Sequence, residues 1–268
     1  MQKYYGGCDI GSTTGKAVIF GANGLVASAL VHSKIDPVRT SERVLEEVCA
    51  QVPDLGGVRD LAWLVGTGYG RNEVPSAREN ISEISCHAVG AHFCDPGIRT
   101  IIDIGGQDMK AIALDDDGTV REFAMNDKCA AGTGRFYEAM SRTFEMSLED
   151  FSDLSLTAGK VIPVSSQCSV FAETEVVSLI SRRNPPPDIA AGIQAAVAKR
   201  VFSLARRVGV QDKVTVTGGC AKNRGLLKTL PKILRAEIVP LSIDPQLMGA
   251  VGAAVLARRR GAQTPAVP

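Results

Sequence analysis

Apolar and polar positions follow one pattern at two places in the chain, in YYGGCDIGSTTGKAVIF (residues 4–20) and in RTIIDIGGQDMKAIAL (residues 99–114). In each, a short apolar run ends in Asp-Ile-Gly and is followed by a polar turn, a lysine and a second apolar run. This pattern predicts a β-hairpin with a glycine turn. Because it occurs twice, about 94 residues apart, the sequence predicts two halves of related design.

Helical spacing of apolar residues accounts for much of the remaining chain. It predicts helices in SERVLEEVCAQV, SEISCHAVGAHF, GTGRFYEAMSRTF, SVFAETEVVSLISRR and PDIAAGIQAAVAKRVFSLARRV. Ser41 is the expected N-cap of the first helix, and Pro187 and Asp188 are expected to begin the last. Further on, KVTVTGGCAKNRGLLKTL predicts a strand, a glycine turn and a helix, and DPQLMGAVGAAVLARRR predicts a final helix.

This order of strands and helices predicts an α/β fold with two lobes. The first lobe covers residues 1–98 and is joined by the C-terminal helix, at residues 243–268. The second lobe covers residues 99–242. Since the two lobes are expected to pack against each other, we expect a ligand site in the cleft between them.

Composition and charge restrict the classes of function. The chain has 268 residues, of which 45% are hydrophobic and 22% charged, and its formal net charge is +1, so we expect no nucleic-acid or membrane partner. No apolar segment is long enough to span a bilayer and the N-terminus lacks a signal-peptide apolar region, which predicts a cytoplasmic location. Seven cysteines without a CxxC pair are therefore expected to be thiols or metal ligands rather than disulfides.

The turn of the first hairpin, DIGSTTGK, has the composition of a phosphate-binding loop. Asp9 suits a hydrated Mg²⁺, and Lys16 adds a positive charge. Backbone N–H groups and hydroxyls for phosphate oxygens come from Gly11, Ser12, Thr13, Thr14 and Gly15. The spacing differs from that of GxxxxGKS/T, and an ordinary hairpin turn is the alternative interpretation of this segment taken alone.

Two later segments extend the same interpretation. The second hairpin, DIGGQDMK, repeats the arrangement with Asp103 at the strand end and Gly105, Gly106 and Gln107 in the turn. Two such hairpins facing one cleft would bind a triphosphate from both sides.

The third segment, VTGGCAKN, ends a strand in Gly218 and Gly219, where a nucleoside could lie against bare backbone. Lys222 and, just before the final helix, Gln246 are further candidate nucleotide contacts. Lys222 is charged where an uncharged amide is expected. Each of the three segments is a weak signal alone, and their order makes the signal strong.

In this order the three segments resemble the phosphate-1, phosphate-2 and adenosine motifs of the actin, Hsp70 and sugar-kinase superfamily. Further motifs are shared with one branch of it: GTGYGR, SEISCHAVGA, MNDKCAAGTGRF, SSQCSVFAETEVVS and GI…A…R. From about Tyr5 to about Ala257 the chain is similar to the ATP-dependent activators of 2-hydroxyacyl-CoA dehydratases. These are iron–sulfur ATPases related to the ATPase subunits of benzoyl-CoA reductase. The resemblance implies an actin-like ATPase fold of the ribonuclease H-like type.

The resemblance also implies a metal centre. In this family two cysteines of each subunit bind half of a 4Fe-4S cluster, and a symmetric homodimer completes it. The matching residues are Cys129 in NDKCAAGTG and Cys168 in SSQCSVFAE. Both directly precede predicted helices, whose N-terminal N–H groups and dipole favour a thiolate and an anionic cluster. Four thiolates are needed, which suits a two-fold axis through the cluster. The alternative is that both are buried thiols, as expected for the other five cysteines.

As a function, the resemblance implies a homodimeric ATPase that couples ATP hydrolysis to single-electron transfer at low potential. Reduced ferredoxin or flavodoxin would be the donor, and a 2-hydroxyacyl-CoA dehydratase or a related CoA-ester reductase would be the acceptor. Asp9 and Asp103 would orient Mg²⁺ and water, and Gln107 or Asp108 would position the hydrolytic water. Lobe closure with the nucleotide state, whether ATP or ADP is bound, would move the helices after the two cysteines and alter the cluster's reduction potential.

Three alternatives stay open at this point. The partner could be a benzoyl-CoA reductase-type enzyme instead of a dehydratase. A small-molecule kinase of the same fold would use the same ATP cleft, place a carboxylate base beside a substrate hydroxyl and need no cysteines. A chaperone-type, nucleotide-gated binding module is disfavoured because no peptide-binding domain is appended.

Overall fold

A computed structural model describes residues 2–165 and 168–263 of the chain. In chain order the strands are β1 (Tyr5–Ile10), β2 (Thr14–Gly21), β3 (Gly24–His32), β4 (Trp63–Thr67), β5 (Glu79–Asn80), β6 (Thr100–Ile104), β7 (Met109–Leu114), β8 (Val120–Asn126) and β9 (Val214–Thr217). The helices are α1 (Pro37–Cys49), α2 (Glu83–Cys94), α3 (Gly134–Thr143), α4 (Leu148–Leu154), α5 (Ser169–Ser181), α6 (Pro186–Ala205), α7 (Arg224–Leu234) and α8 (Met248–Gln263). Over these residues, every helix is too short or too polar to cross a membrane.

Contacts divide the chain into two compact units. Unit 1 comprises Met1–Gly97, Leu114–Val120 and Leu241–Pro268, and unit 2 comprises Ile98–Ala113 and Arg121–Pro240. The second hairpin, made of β6 and β7, therefore belongs almost entirely to unit 2, and its connection to β8 belongs to unit 1.

Unit 1 is built on a sheet with the strand order β3-β2-β1-β4-β5. Strand β1 lies at its centre, antiparallel to β2 and parallel to β4, and all of its residues are buried. On one face, Val18 and Phe20 of β2 pack against Met248 and Val251 of α8. The opposite face is covered by α1, so the strand that carries Asp9 is enclosed on both sides.

Unit 2 is built on a sheet with the strand order β8-β7-β6-β9. Strand β6 is antiparallel to β7 and parallel to β9. One hydrophobic core joins side chains of these strands to helices α3, α4, α5, α6 and α7. The end of β6, which carries Asp103, is thereby held next to the end of β9 and the start of α3.

The two sheets share one arrangement, since β3-β2-β1-β4 of unit 1 corresponds to β8-β7-β6-β9 of unit 2. In both, the motif hairpin has a third strand beside its second strand and a parallel strand beside its first. The predicted α/β class and the duplication of the hairpin unit are confirmed.

Helix α1 begins earlier than the sequence pattern predicts. Its N-cap is Asp36, whose carboxylate accepts a hydrogen bond from the N–H of Val38 at 2.9 Å. Ser41 is buried inside the helix, and its hydroxyl donates to the carbonyl oxygen of Val38 at 2.8 Å. The prediction of Ser41 as N-cap is wrong because an Asp-Pro pair, with Pro37 at the first helical position, is the stronger start signal.

Candidate functional site

The turn of the first hairpin is held by residues on both sides of it. The N–H of Gly11 donates to the carbonyl oxygen of Thr14 at 3.1 Å, and the hydroxyl of Ser33 donates to the carbonyl oxygen of Gly11 at 2.9 Å. Thr13 Oγ1 is buried and makes no hydrogen bond within the described residues, while the side chain of Ser12 is exposed. A fixed turn with hydroxyls that make no internal hydrogen bond is suited to donate hydrogen bonds to phosphate oxygens.

Asp9 and Lys16 face each other across the first hairpin. They are direct partners in the β1–β2 register, and Lys16 Nζ lies 3.2 Å from Asp9 Oδ2. The ammonium group reaches the turn as well, since it would be 3.0 Å from a Cβ placed on Gly11. The positive charge that the motif supplies is therefore directed at the carboxylate as much as at the turn.

The second hairpin repeats this cross-strand pair and buries it more deeply. Asp103 and Lys110 are direct partners in the β6–β7 register, and Lys110 Nζ lies 3.4 Å from Asp103 Oδ2. The same ammonium group forms an ion pair with Asp108, and Thr217 of β9 donates from its hydroxyl to Asp103 Oδ1 at 2.9 Å. These four side chains form a buried polar cluster, which we call the Asp103 cluster.

Burial separates the two residues that the sequence proposes for positioning a water. Gln107 is exposed at the tip of the second turn, whereas Asp108 is buried and paired with Lys110. The N–H of Gly105 also donates to the carbonyl oxygen of Asp108 at 3.0 Å, so Asp108 closes the turn. Asp108 thus has a structural place inside the cluster, and Gln107 is the one whose side chain reaches outward.

The glycine turn after β9 lies against the Asp103 cluster. Gly218 has φ +81°, a conformation that favours glycine, and a Cβ there would lie 2.9 Å from Asp103 Oδ1. A short 3₁₀ turn then runs over Gly219–Lys222 and leaves Lys222 exposed. Gln246 lies in a separate 3₁₀ turn of unit 1, Pro245–Leu247.

The second turn is hydrogen-bonded directly to the start of α3. The carbonyl oxygens of Gly105 and Gly106 accept from the N–H groups of Gly134 and Arg135, each at 2.9 Å. A Cβ on Gly134 would lie only 3.2 Å from the Cα of Gly106. The turn is therefore joined directly to the first residues of α3.

The loop before α3 carries Cys129. Cys129 lies five positions before Gly134, so the prediction that it directly precedes a helix is wrong. The chain first passes through Gly132, with φ +89°, and an extended Thr133, neither of which is helical. The hydroxyl and the N–H of Thr133 both donate to the carbonyl oxygen of Ala130, which makes the loop compact.

Cys168 does occupy the predicted place at a helix start. It is the N-cap residue of α5, and its carbonyl oxygen accepts from the N–H of Ala172 at 2.9 Å. Ser166 and Gln167 of the same motif lie outside the described residues. The first N–H groups of a helix lack partners within the helix, and together with the helix dipole they stabilise a nearby negative charge.

The other five cysteines have a different character. Burial raises the pKa of the Cys86 and Cys220 thiols to about 12 and that of Cys49 to about 11. Burial likewise raises the pKa of Cys8 and Cys94. Burial therefore disfavours the thiolate form, which is the form that binds metals, at these five cysteines.

The donor chemistry of Cys129 and Cys168 fits an iron–sulfur cluster. Both are partly exposed; Cys129 Sγ lies 3.9 Å from the Arg200 guanidinium, and Cys168 lies at the N-terminal end of α5. Within residues 2–165 and 168–263, no three or more His, Cys, Asp or Glu side chains are grouped to hold a metal. Two thiolates are half of the four that a 4Fe-4S cluster takes.

Residues 7–257 match the family model described as the BadF/BadG/BcrA/BcrD ATPase family. A 2-hydroxyisocaproyl-CoA dehydratase activator of Clostridioides difficile is 45% identical over 257 residues, which are 95% of this chain and 94% of that protein. One of the subunits of benzoyl-CoA reductase from Thauera aromatica is 31% identical over 258 residues, 93% of this chain and 91% of that one.

Solved structures agree with this match. The activator of the 2-hydroxyisocaproyl-CoA dehydratase from Clostridium difficile, with bound ADPNP, superimposes with a TM-score of 0.91 at 42% identity, covering 98% of this chain and 96% of that chain. A ROK-family glucokinase from Streptomyces griseus superimposes with a TM-score of 0.59 at 15% identity, covering 97% of this chain and 100% of that one, which shows a likeness of fold alone. The predicted actin-like, sugar-kinase type of fold is confirmed.

Proposed function

The chain belongs to the BadF/BadG/BcrA/BcrD ATPase family, and from this premise we propose that it is the ATP-hydrolysing activator of a 2-hydroxyacyl-CoA dehydratase. It acts as a homodimer and couples hydrolysis to the transfer of single electrons. One observation supports the coupling above all others. The turn of the second hairpin is hydrogen-bonded to Gly134 and Arg135, which directly follow the loop that carries Cys129.

Both hairpins contribute to binding Mg-ATP in this proposal. Asp9 and Asp103 orient Mg²⁺ and its waters, because hydrated Mg²⁺ takes one or two carboxylates together with phosphate oxygens. The remaining contacts, to the phosphates and the nucleoside, come from Gly11, Ser12, Thr13, Thr14, Gly15, Lys16, Gly105, Gly106, Gln107, Gly218, Gly219, Lys222 and Gln246.

Gln107 positions the water that attacks the γ-phosphate. A side-chain amide can orient an attacking water through hydrogen bonds, which is the part that a glutamine takes in some nucleotide hydrolases. Asp108 acts indirectly: its ion pair with Lys110 keeps that ammonium group beside Asp103 and so sets the orientation of the Mg²⁺-binding carboxylate.

The effect of ATP hydrolysis reaches the loop that carries Cys129 through backbone hydrogen bonds. When the γ-phosphate leaves, the turn that contains Gly105 and Gly106 adjusts to its absence. Their bonds to Gly134 and Arg135 carry that adjustment into α3 and the compact loop before it. Cys129 lies in this loop, so its position depends on the nucleotide state.

Cys129 and Cys168 would hold half of a 4Fe-4S cluster, which when bound supplies a one-electron centre of low potential. A second copy of the chain, related by two-fold symmetry, supplies the other two thiolates. In the same proposal, ferredoxin or flavodoxin donates the electron, and the protein is located in the cytoplasm.

A dehydratase is favoured over a benzoyl-CoA reductase-type acceptor by degree of similarity. The dehydratase activator is 45% identical and the reductase subunit 31% identical over similar lengths. The reductase-type acceptor is therefore the second candidate. The kinase alternative has only the likeness of fold to the glucokinase in its favour.

The test is anaerobic purification of the wild-type protein and of three cysteine variants. We expect a brown wild-type homodimer with about four iron and four sulfide, which reduces a 2-hydroxyacyl-CoA dehydratase only when ATP is hydrolysed. Cys129→Ser and Cys168→Ser should lose iron and electron transfer, while the control Cys94→Ser keeps both. An iron-free wild type whose two variants retain full activity would refute the proposal.

A further inference from the structure

A cationic side chain lies beside one of the two proposed cluster ligands. Arg200, in α6, directs its guanidinium Nη1 towards Cys129 Sγ at 3.9 Å, and both side chains are partly buried. Arg200 is the arginine of the GI…A…R motif. The proposed ATP site and the proposed cluster ligands do not include this motif.

The stem of Arg200 is held in place by the loop that it approaches. Gly132 takes a φ of +89°, and a Cβ there would lie 3.3 Å from Arg200 Cδ and 3.1 Å from Met109 Cε. Glycine therefore leaves the space that the arginine stem passes through. On either side of Arg200 in α6, Val197 and Val201 are buried in the core of unit 2, so the helix that bears the arginine is fixed.

Other charges near Cys129 in the chain are less well placed. Asp127 and Lys128 are both exposed, so solvent and salt screen their effect on the sulfur. The Arg200 guanidinium, by contrast, is partly buried and lies 3.9 Å from the sulfur.

We propose that Arg200 is a positioning residue for Cys129 that raises the reduction potential of the cluster. The inference rests on the proposed function, since it requires Cys129 to be a ligand. Reduction adds a negative charge to the centre, and a cation or N–H donor at a ligand sulfur stabilises the more negative state. Two-fold symmetry places one Arg200 on each side of the cluster.

The test compares the reduction potentials of three iron-loaded homodimers with that of the wild type. Arg200→Gln removes the charge, Arg200→Lys keeps it, and Lys199→Gln removes a neighbouring exposed charge as a matched control. The ratio of reduced to oxidised cluster is followed by electron paramagnetic resonance during anaerobic redox titration. At a fixed poise we expect Arg200→Gln to lower this ratio about tenfold, equivalent to about 59 mV for a one-electron couple. Arg200→Lys should recover most of it, and Lys199→Gln should leave it unchanged.

Every other outcome either supports or overturns the role of Arg200. An iron-loaded Arg200→Gln protein with the wild-type ratio overturns the inference, and so does an equal shift in Lys199→Gln. If Arg200→Gln folds but retains no iron, retention in Arg200→Lys supports the positioning role and equal loss overturns it. A wild-type protein without iron refutes the proposed function itself. An iron-loaded Arg200→Gln protein with the wild-type reduction potential refutes only the role of Arg200.

Discussion

The two hairpin lysines differ in how far they are buried and in how many carboxylates they contact. The side chain of Lys16 is 11% exposed and contacts Asp9, whereas that of Lys110 is 4% exposed and contacts Asp103 and Asp108. A buried charge that loses its partner is costly because neither water nor another cation replaces it. The same motif lysine therefore has a larger structural part in the second hairpin than in the first.

Replacing Lys110 by Met should lower the free energy of unfolding by about 3–5 kcal/mol, the cost of leaving buried carboxylates without their cation. Lys16→Met should cost less, and Lys228→Met, on the exposed face of α7, should cost almost nothing. Urea unfolding followed by circular dichroism measures all three. Equal losses for Lys110→Met and Lys228→Met would show that the Asp103 cluster does not depend on its lysine.

Truncation of Gln107 should affect catalysis far more than binding. We expect Gln107→Ala to lower kcat for ATP hydrolysis about a hundredfold and to change KM less than about threefold, because the water is oriented only for the reaction. Steady-state phosphate release measures both constants. Gln211→Ala, an exposed glutamine on the same unit, is the control, and a Gln107→Ala protein with its kcat unchanged would show that another group positions the water.

The buried thiols make stability depend on pH in the alkaline range. Burial raises the pKa of Cys220 from 9.0 to about 12 in the folded protein. Its stabilisation is fully present below pH 9 and decreases as the pH rises towards 12, because only the unfolded chain releases the proton in that interval. One such thiol contributes a slope of about 1.4 kcal/mol per pH unit. Urea unfolding under reductant at pH 8 to 11 should show a shallower decrease for Cys220→Ala, and parallel curves would contradict this assignment.

At the scale of elements, glycines determine how closely helices α2 and α8 approach. Gly252 of α8 lies against the carbonyl oxygen of Cys86 and the N–H of Gly90 in α2. A Cβ on Gly252 would overlap the Cys86 carbonyl, which is backbone and cannot turn aside. The small-residue composition of α8 is thus required by its packing.

Gly252→Ala should destabilise the protein although alanine is the better helix former. Overpacking of this kind costs about 1–3 kcal/mol, which exceeds the gain of about 1 kcal/mol in helix propensity. Arg259→Ala, at an exposed position of the same helix, should change the free energy of unfolding by less than about 0.5 kcal/mol. Thermal unfolding followed by circular dichroism compares them, and a Gly252→Ala protein as stable as the wild type would contradict the close packing.

For the whole molecule, we expect the fold not to depend on the proposed cluster. Each unit has its own hydrophobic core, and the side chain of Cys129 only packs against the edge of the core of unit 2. This differs from small metal domains, in which metal binding supplies the folding free energy. The cluster is expected to join two chains that are already folded.

Iron removal by an anaerobic chelator should therefore separate the subunits and leave each one folded. We expect the mass from light scattering to halve, while the far-ultraviolet circular dichroism keeps its helical signal. Reconstitution with iron and sulfide should restore the dimer. A loss of helical signal, or a dimer that persists without iron, would contradict the separation of fold and cluster.

The sequence by itself determined the two hairpins, most of the helices and the residue types of the candidate site. These features depend on residues that are close together in the chain. Asp-Ile-Gly ends a strand at a turn. The local pattern already predicts the hairpins across which Asp9 pairs with Lys16 and Asp103 with Lys110. The same local patterns misplaced the N-cap of α1 and did not indicate β3, β8 and α4.

Only the tertiary structure decided which of these side chains are buried and which meet from distant parts of the chain. It separated exposed Gln107 from buried Asp108, brought Thr217 to Asp103, and brought Arg200 to Cys129. Such contacts arise from the packing of β6, β9, α3 and α6 around one core, and residues joined in this way share no spacing that a linear pattern could reveal. The sequence therefore predicted the local chemistry, whereas only the fold showed the link between the turn of the second hairpin and the loop that carries Cys129.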